Sequence, residues 1–315
     1  MKLIKNSNGH NLLVVIAGPT ASGKSETAAR LAYLLQGEIV SADSIQIYKH
    51  INVGASKPTV SQLNIAKHHL VDELEPTEKL DAFEFAKIAR ERILTVSKAG
   101  KLPILTGGTG LYIKAVVDGI FEAQKTTKQV SEALNAEAAE KGITAMHEKL
   151  SGIDPAAAMK INKNDKFRIL RALEVFETTG KTISGLREKT EPLSGYDLAF
   201  FGLELERKLL YERINNRAEE MIKNGLLEET KKLIKDYGKE NVRALRSLGY
   251  KHMCEYLDSK YTLERAVELM KRDTRRYAKR QFTWFRADKR YTWLDNSLPE
   301  NTVESIKESI LKSSY

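Results

Sequence analysis

The chain has one cysteine, Cys254. A single thiol excludes a disulfide framework within the chain and a cysteine metal cage, and it suits a reducing, cytoplasmic setting. Histidine is sparse too, with six scattered residues. The adjacent pair His68-His69 lacks a spacing that a helix or strand would aim at one ion, so no metal site is expected there. No apolar run approaches the length of a membrane span, and the polar stretch Met1 to Asn11 does not read as a signal peptide. No membrane partner is therefore expected. Repeats and low-complexity tracts are absent. With 42% hydrophobic and 30% charged residues, the composition points to neither a disordered chain nor a fibre.

What the chain does have is length and positive charge. Its 315 residues suffice for a sizeable core plus one appended domain. The formal charge is +9 and much of it is concentrated. Lys271 to Arg290 holds nine Lys or Arg against two Asp, a net +7. Drawn as a helix, this segment puts Arg272, Arg276, Lys279, Arg280 and Arg286 in one arc, with Tyr277, Phe282, Trp284 and Phe285 largely opposite. The aromatics read as a core stripe. So dense a charge is better matched to a polyphosphate, most simply a nucleic-acid backbone, than to a merely solvated face. A weaker cluster comprises Lys160, Lys163, Lys166, Arg168 and Arg171.

The first hundred or so residues alternate strand and helix signals. Leu12–Ala17, Glu38–Ser41 and Lys101–Leu105 read as buried strands. Ala28, Leu31, Ala32 and Leu35 have helical spacing ended by Gly37, and Ala82–Lys98 has helical period. From Phe121 to Tyr196 only helical segments are legible. Strand character returns at Leu198–Leu203, and the remainder looks almost entirely helical. Residues 1–120 and 198–315 are thus expected to form an α/β core with a helical C-terminal part, and 121–197 a helical insertion domain.

The loop after the first strand, Gly18-Pro19-Thr20-Ala21-Ser22-Gly23-Lys24-Ser25, fits the P-loop pattern in full. Its glycines let backbone N–H groups turn inward around an anion, Lys24 adds a cation, and the Ser25 hydroxyl can reach a magnesium ion. The following helix aims its positive end at the same place. The expected fold is therefore a P-loop NTPase-like parallel sheet, with ligands at the carboxyl ends of its strands.

Other candidate groups fall at those strand ends. Asp43 and Ser44 follow the second strand; Asp43 can hold magnesium indirectly or act as a general base, and a helix or turn cap is the bland alternative. Thr106-Gly107-Gly108-Thr109-Gly110 ends the third, where the glycines permit close approach of backbone to ligand. That strand brings no carboxylate, which tells against ATP hydrolysis. Arg213 and Arg217 share a helix face and can clamp one phosphate, or form a solvated pair.

Taken in order, these segments resemble the tRNA dimethylallyltransferase (IPP transferase) family. The resemblance rests on Gly18–Ser25, Ser41–Tyr48, Gly54–Pro58, His68–Leu70, Gly107–Tyr112, Arg171–Val175 with Thr179–Lys181, Gly249–Lys251 and Thr274–Arg286. Two positions depart from the family pattern: Phe167 stands where Gln precedes Arg168, and His252 where Glu follows Gly-Tyr-Lys. The resemblance implies transfer of a dimethylallyl group from dimethylallyl diphosphate to N6 of the tRNA adenosine 3′ to the anticodon. A monomer is expected, although the sequence does not name the oligomeric state. The resemblance also implies that Gly18, Pro19, Thr20, Ala21, Ser22, Gly23, Lys24, Ser25 and Arg217 hold the diphosphate, with Mg2+ at Ser25. It makes Asp43 the base and puts Thr109 near the reacting base. The anticodon stem-loop would be met by Asp43, Ser44, Ile45, Gln46, Phe167, Arg168, Ile169, Leu170, Arg171, Arg246, Gly249, Tyr250, Lys251, Lys279, Arg280, Gln281 and Arg286. The residues alone also allow a P-loop small-molecule kinase, a prenyltransferase of free adenine nucleotides, or an RNA-binding module with a relic loop. The first two leave the basic segment without a purpose, and the intact Lys24-Ser25 pair and Asp43 oppose the third.

Overall fold

The computed structural model describes residues 10–122, 126–188 and 190–312. These fall into two compact units, Met1–Val116 with Leu193–Tyr315, and Val117–Pro192.

The larger unit is built on six parallel strands: β1 (Asn11–Ala17), β2 (Gly37–Ser41), β3 (His68–His69), β4 (Leu102–Gly107), β5 (Tyr196–Glu204) and β6 (Thr292–Asp295). Their order is β3-β2-β4-β1-β5-β6. The central strand β1 is fully buried from Leu13 to Ala17, as a strand covered on both faces must be. Helices fill the connections: α1 (Lys24–Leu35), α2 (Val60–Ile65), α3 (Ala82–Lys98) and α4 (Gly110–Asp118). The smaller unit follows with α5 (Lys128–Ile153), α6 (Pro155–Lys160), α7 (Lys166–Thr179) and α8 (Ile183–Arg187). After β5 come α9 (Arg207–Lys223), α10 (Leu226–Tyr237), a 3₁₀ turn at Arg243–Arg246, α11 (Tyr250–Leu257), α12 (Leu263–Arg286) and α13 (Pro299–Lys312).

The sequence reading needs four corrections here. Both edge strands were missed, because β3 has two residues and β6 four, too short to show a period. The chain rejoins the sheet at Tyr196, not Leu198, since Tyr196 and Asp197 already pair with Asn11 and Leu12. Gln36, at φ 51°, takes the left-handed position that closes α1, and Gly37 opens β2. Trp284, assigned to the core stripe, is 40% exposed.

α13 is part of the core, because its Val303, Ile306 and Ile310 pack in one cluster with Ala28, Leu31 and Leu35 of α1. His68 and His69 serve the sheet. His69 Nε2 lies 2.6 Å from the buried carboxylate of Glu38, which also accepts from Lys101 Nζ at 2.6 Å. Burial works against charge on Glu38, but the Lys101 and His69 hydrogen bonds outweigh it and hold its pKa below the ordinary value. The smaller unit has its own core, in which Leu134, Met146, Leu150, Ile169, Leu173 and Ile183 meet. Gly142, at φ 81°, kinks α5.

Gly107, at the end of β4, lies against the backbone just past the end of β2. A Cβ there would stand 2.1 Å from the Ala42 carbonyl oxygen, a backbone atom that cannot step aside. Gly107→Ala is expected to cost about 1–3 kcal/mol, seen as a lowered Tm by calorimetry. An unchanged Tm would mean the two strand ends can part freely.

Candidate active site

The loops after β1, β2 and β4 meet at one end of the sheet, around a cavity of about 380 Å³. Thr20, Ala21, Gly23, Lys24 and Ser25 of the phosphate loop line it. Ala21 and Gly23 have φ of 64° and 87°, so the peptide N–H groups between them curl into a concave nest. Gly23 precedes α1 without any side-chain cap, which leaves the first N–H groups of that helix for a ligand. Lys24 Nζ donates to the Pro19 carbonyl at 2.6 Å, within the loop itself. The Lys24 stem keeps some surface in the cavity, but its ammonium lies deep among protein atoms. Burial, with Arg217 nearby, lowers its pKa to about 7, and Asp43 opposes the shift.

Arg217 and Arg213, on α9, both line the cavity. Arg217 Nε donates to Ser56 Oγ at 2.8 Å and Nη1 to Thr20 Oγ1 at 3.4 Å. Burial works against its charge and lowers its pKa, while the Asp43 carboxylate works to keep it. Four cations (Lys24, Lys57, Arg213 and Arg217) thus border the space that Asp43 enters. Such an excess of positive charge suits a polyanionic ligand.

Asp43 has two tasks. Its Oδ1 accepts the N–H groups of Ile45 at 2.8 Å and Gln46 at 3.2 Å, which is the turn-capping role. The carboxylate still lines the cavity, leaving Oδ2 for chemistry. Tyr277 of α12 stands near it, and burial followed by the Asp43 charge pushes the phenol up to about 12, so it stays neutral.

Several expected contacts take other tasks. Thr109 clasps two loops: its Oγ1 accepts the Ser44 N–H at 3.2 Å and its own N–H donates to Ala42 O at 3.3 Å. The Gln46 amide is committed to Ser41 Oγ at 3.1 Å and to Ser56 O at 3.1 Å. Gln281 is buried; its Oε1 accepts the Thr20 N–H at 2.9 Å and its Nε2 donates to Gly108 O at 2.8 Å. It joins the phosphate loop to the glycine turn, where it also lines the cavity. Tyr250 is fully buried with its hydroxyl 2.5 Å from Glu229, and Gly249 is buried beside it. Ile169 and Leu170 face the core of the smaller unit. For Tyr250, Ile169 and Leu170, an RNA-facing side chain is therefore corrected to a structural one, and Gly249 is buried backbone.

The outward set is smaller. Lys279 and Arg280 are exposed on α12, and no carboxylate pairs with them among the described residues. Arg276 lies 3.6 Å from Asp273. Arg286 is exposed but held by Glu204 at 2.6 Å and stacked over Phe282 and Trp293. Arg246 and Lys251 are exposed, as are Phe167 and Arg168 in the smaller unit. Arg171 is tied to Thr126 at 2.9 Å and Glu174 at 3.3 Å.

Residues 46–288 match the family model described as IPP transferase. A tRNA dimethylallyltransferase of Carboxydothermus hydrogenoformans is 44% identical over 301 residues, covering 95% of this chain and 96% of that one. This chain belongs to the tRNA dimethylallyltransferase family. Like the family, it is a prenyltransferase on a P-loop NTPase-like parallel sheet. A solved tRNA isopentenylpyrophosphate transferase from Bacillus halodurans matches it with a TM-score of 0.70 and 38% identity, covering 96% of this chain and 98% of that one. A eukaryotic dimethylallyltransferase, solved while acting on tRNA, matches with a TM-score of 0.73 and 27% identity, covering 90% and 73%.

Within this dimethylallyltransferase family framework, the site also uses residues to which the sequence reading gave no role. Ser56 and Lys57 line the cavity from a stretch noted only as a resemblance. Lys57 Nζ is anchored to Tyr48 O at 2.7 Å, Asn52 Oδ1 at 2.9 Å and Asp72. Tyr277 lay in the supposed core stripe, where its position in the basic helix was the available signal. Among the described residues no helix is long and apolar enough to cross a membrane.

Proposed function

We propose that residues 18–25 cradle the diphosphate of dimethylallyl diphosphate while Asp43 takes the proton from N6 of the adenosine 3′ to the tRNA anticodon. The observation that carries this reading is the opposition, in one cavity, of a cationic phosphate loop and the well-held Asp43 carboxylate, the other carboxylate there, Glu26, being paired with Arg30. The allylic C–O bond breaks and its electron pair leaves with the diphosphate. The N6 lone pair forms the new C–N bond, and its proton passes to Asp43. Charge grows on the departing oxygen, so preorganised donors there lower the barrier: the loop N–H groups, Lys24 and Arg217. Substrate stacked in an anticodon loop must be splayed into such a cavity.

Magnesium fits the donor set. Ser25 is exposed to the same cavity as Ser41 and Asp43, all of them oxygen donors. Among the described residues no group of three His, Cys, Asp or Glu could cage an ion. That suits Mg2+, which keeps waters and substrate phosphate oxygens as most of its shell. Ser25 would hold it, and it would neutralise charge on the leaving group.

Labelled dimethylallyl diphosphate, incubated with magnesium and either unmodified tRNA or AMP, is expected to label the tRNA alone. Label on AMP, or none with ATP-dependent phosphorylation of a small molecule, would overturn the reading. A second prediction concerns the basic helix. tRNA affinity should fall as salt rises, and replacing Lys279 and Arg280 by Ala should lower the log–log slope by roughly one to two. Filter binding across a salt series checks this, and salt-independent affinity would remove α12 as the seat of RNA binding.

A further inference from the structure

The last strand of the sheet delivers a buried amide beneath the phosphate loop. Asn296 follows β6 directly and is fully buried. Its backbone N–H donates to the Glu204 carbonyl at 2.8 Å, at the end of β5. Its Nδ2 donates to the Ser22 carbonyl at 2.7 Å, and its Oδ1 accepts from the Thr27 hydroxyl at 3.1 Å. Chemistry fixes which way the amide faces. The Ser22 carbonyl only accepts, so nitrogen must point at it, whereas the Thr27 hydroxyl can serve either atom.

This contact sets the direction of one loop donor. The Ser22–Gly23 peptide is trans, so its C=O and N–H point opposite ways. With the carbonyl held towards Asn296, the Gly23 N–H turns the other way, towards the cavity that Gly23 lines. The two groups are in direct contact, since a Cβ on Gly23 would stand 2.5 Å from Asn296 Nδ2.

We propose that Asn296 is a positioning residue for the diphosphate. This rests on the reading of residues 18–25 as the prenyl donor's cradle. Asn296 touches no reacting atom. It holds the Gly23 N–H on the anion, and without it the buried Ser22 carbonyl loses its partner and the peptide is free to turn. Thr27 assists by holding the amide oxygen. Asn296 and the phosphate loop both lie outside residues 46–288, the segment that the family model matches.

The test uses the full chain and two variants. Asn296→Asp is nearly isosteric and keeps an acceptor for Thr27, but its carboxylate cannot donate to Ser22. Thr27→Val keeps shape and frees the amide oxygen. The probes are inorganic diphosphate with magnesium, by titration calorimetry, and an anticodon stem-loop RNA, by filter binding. Asn296→Asp is expected to lower diphosphate affinity by about tenfold or more, with RNA affinity unchanged. Thr27→Val should shift diphosphate affinity the same way by a smaller factor. In steady state, KM for the prenyl donor should rise while KM for RNA does not. Unchanged diphosphate affinity in whichever variant folds, or equal losses for diphosphate and RNA, would overturn the proposal. A wild-type chain that binds diphosphate yet transfers no prenyl group would instead sink the functional reading and leave this comparison intact.

Discussion

Asp43→Asn is expected to lower the rate of prenyl transfer by about 10²–10⁴-fold, the usual contribution of a positioned general base. The asparagine variant is the sharper choice because its Oδ1 can still accept the Ile45 and Gln46 N–H groups that the carboxylate holds. The loop after β2 should therefore keep its shape, and RNA affinity should stay at the wild-type level. Single-turnover transfer and filter binding, read side by side, separate the chemistry from the fold. Asp43→Ala removes the cap as well, and its additional loss relative to Asn measures what the turn contributes. Transfer surviving nearly intact in the Asn variant would mean that another group takes the proton.

The second large effect belongs to Lys24. Lys24→Met should lower transfer by about 10²–10³-fold, since a buried cation aimed at the leaving group is lost. The same change should raise thermal stability, because an ammonium packed beside Arg217 is costly to desolvate. The pH dependence follows with a definite sign. Lys24 has a pKa of about 7 in the folded chain against an ordinary value of 10.5. Across that window the unfolded chain holds the extra proton, so stability rises with pH, and the Met variant should flatten this rise. Diphosphate affinity is expected to behave oppositely. It should be full below about pH 7, where Lys24 is charged, and decline as pH rises through that value. The substrate's own ionisation is common to both proteins, so the difference between their pH profiles isolates Lys24. Parallel profiles would show that Lys24 is charged throughout.

How much of this could be read from the chain depends on the kind of pattern involved. β1, β2 and β4 are apolar runs followed by loops with distinctive residues, β5 is an apolar run alone, and these signals are local. Ala82–Lys98 repeats at helical spacing and forms α3 over that same span. The phosphate loop is a contiguous motif, so its nest and its bare helix start were legible. Asp43 and Arg217 were candidates by type and position, but their convergence on one cavity needed the fold. Ile169, Leu170 and Tyr250 misled because they sit inside motif-like stretches whose neighbours face outward, and a motif does not say which side of a helix it occupies. Gln281 was one polar letter in a basic segment; its bridge from Thr20 to Gly108 spans most of the chain. Asn296 had no signal, since a single amide in a polar stretch has no period or partner until the sheet closes.

The parallel order of the sheet, with β1 between β4 and β5 and β6 at the edge, has a consequence for folding. The Ser22 carbonyl in the phosphate loop finds its partner 274 residues further along the chain. Contacts of such long range form late in folding. A nascent or prematurely terminated product that stops short of β6 would carry the complete P-loop motif with its supporting amide missing. On the role proposed for Asn296, the phosphate loop therefore reaches its full diphosphate affinity only once the edge strand has docked.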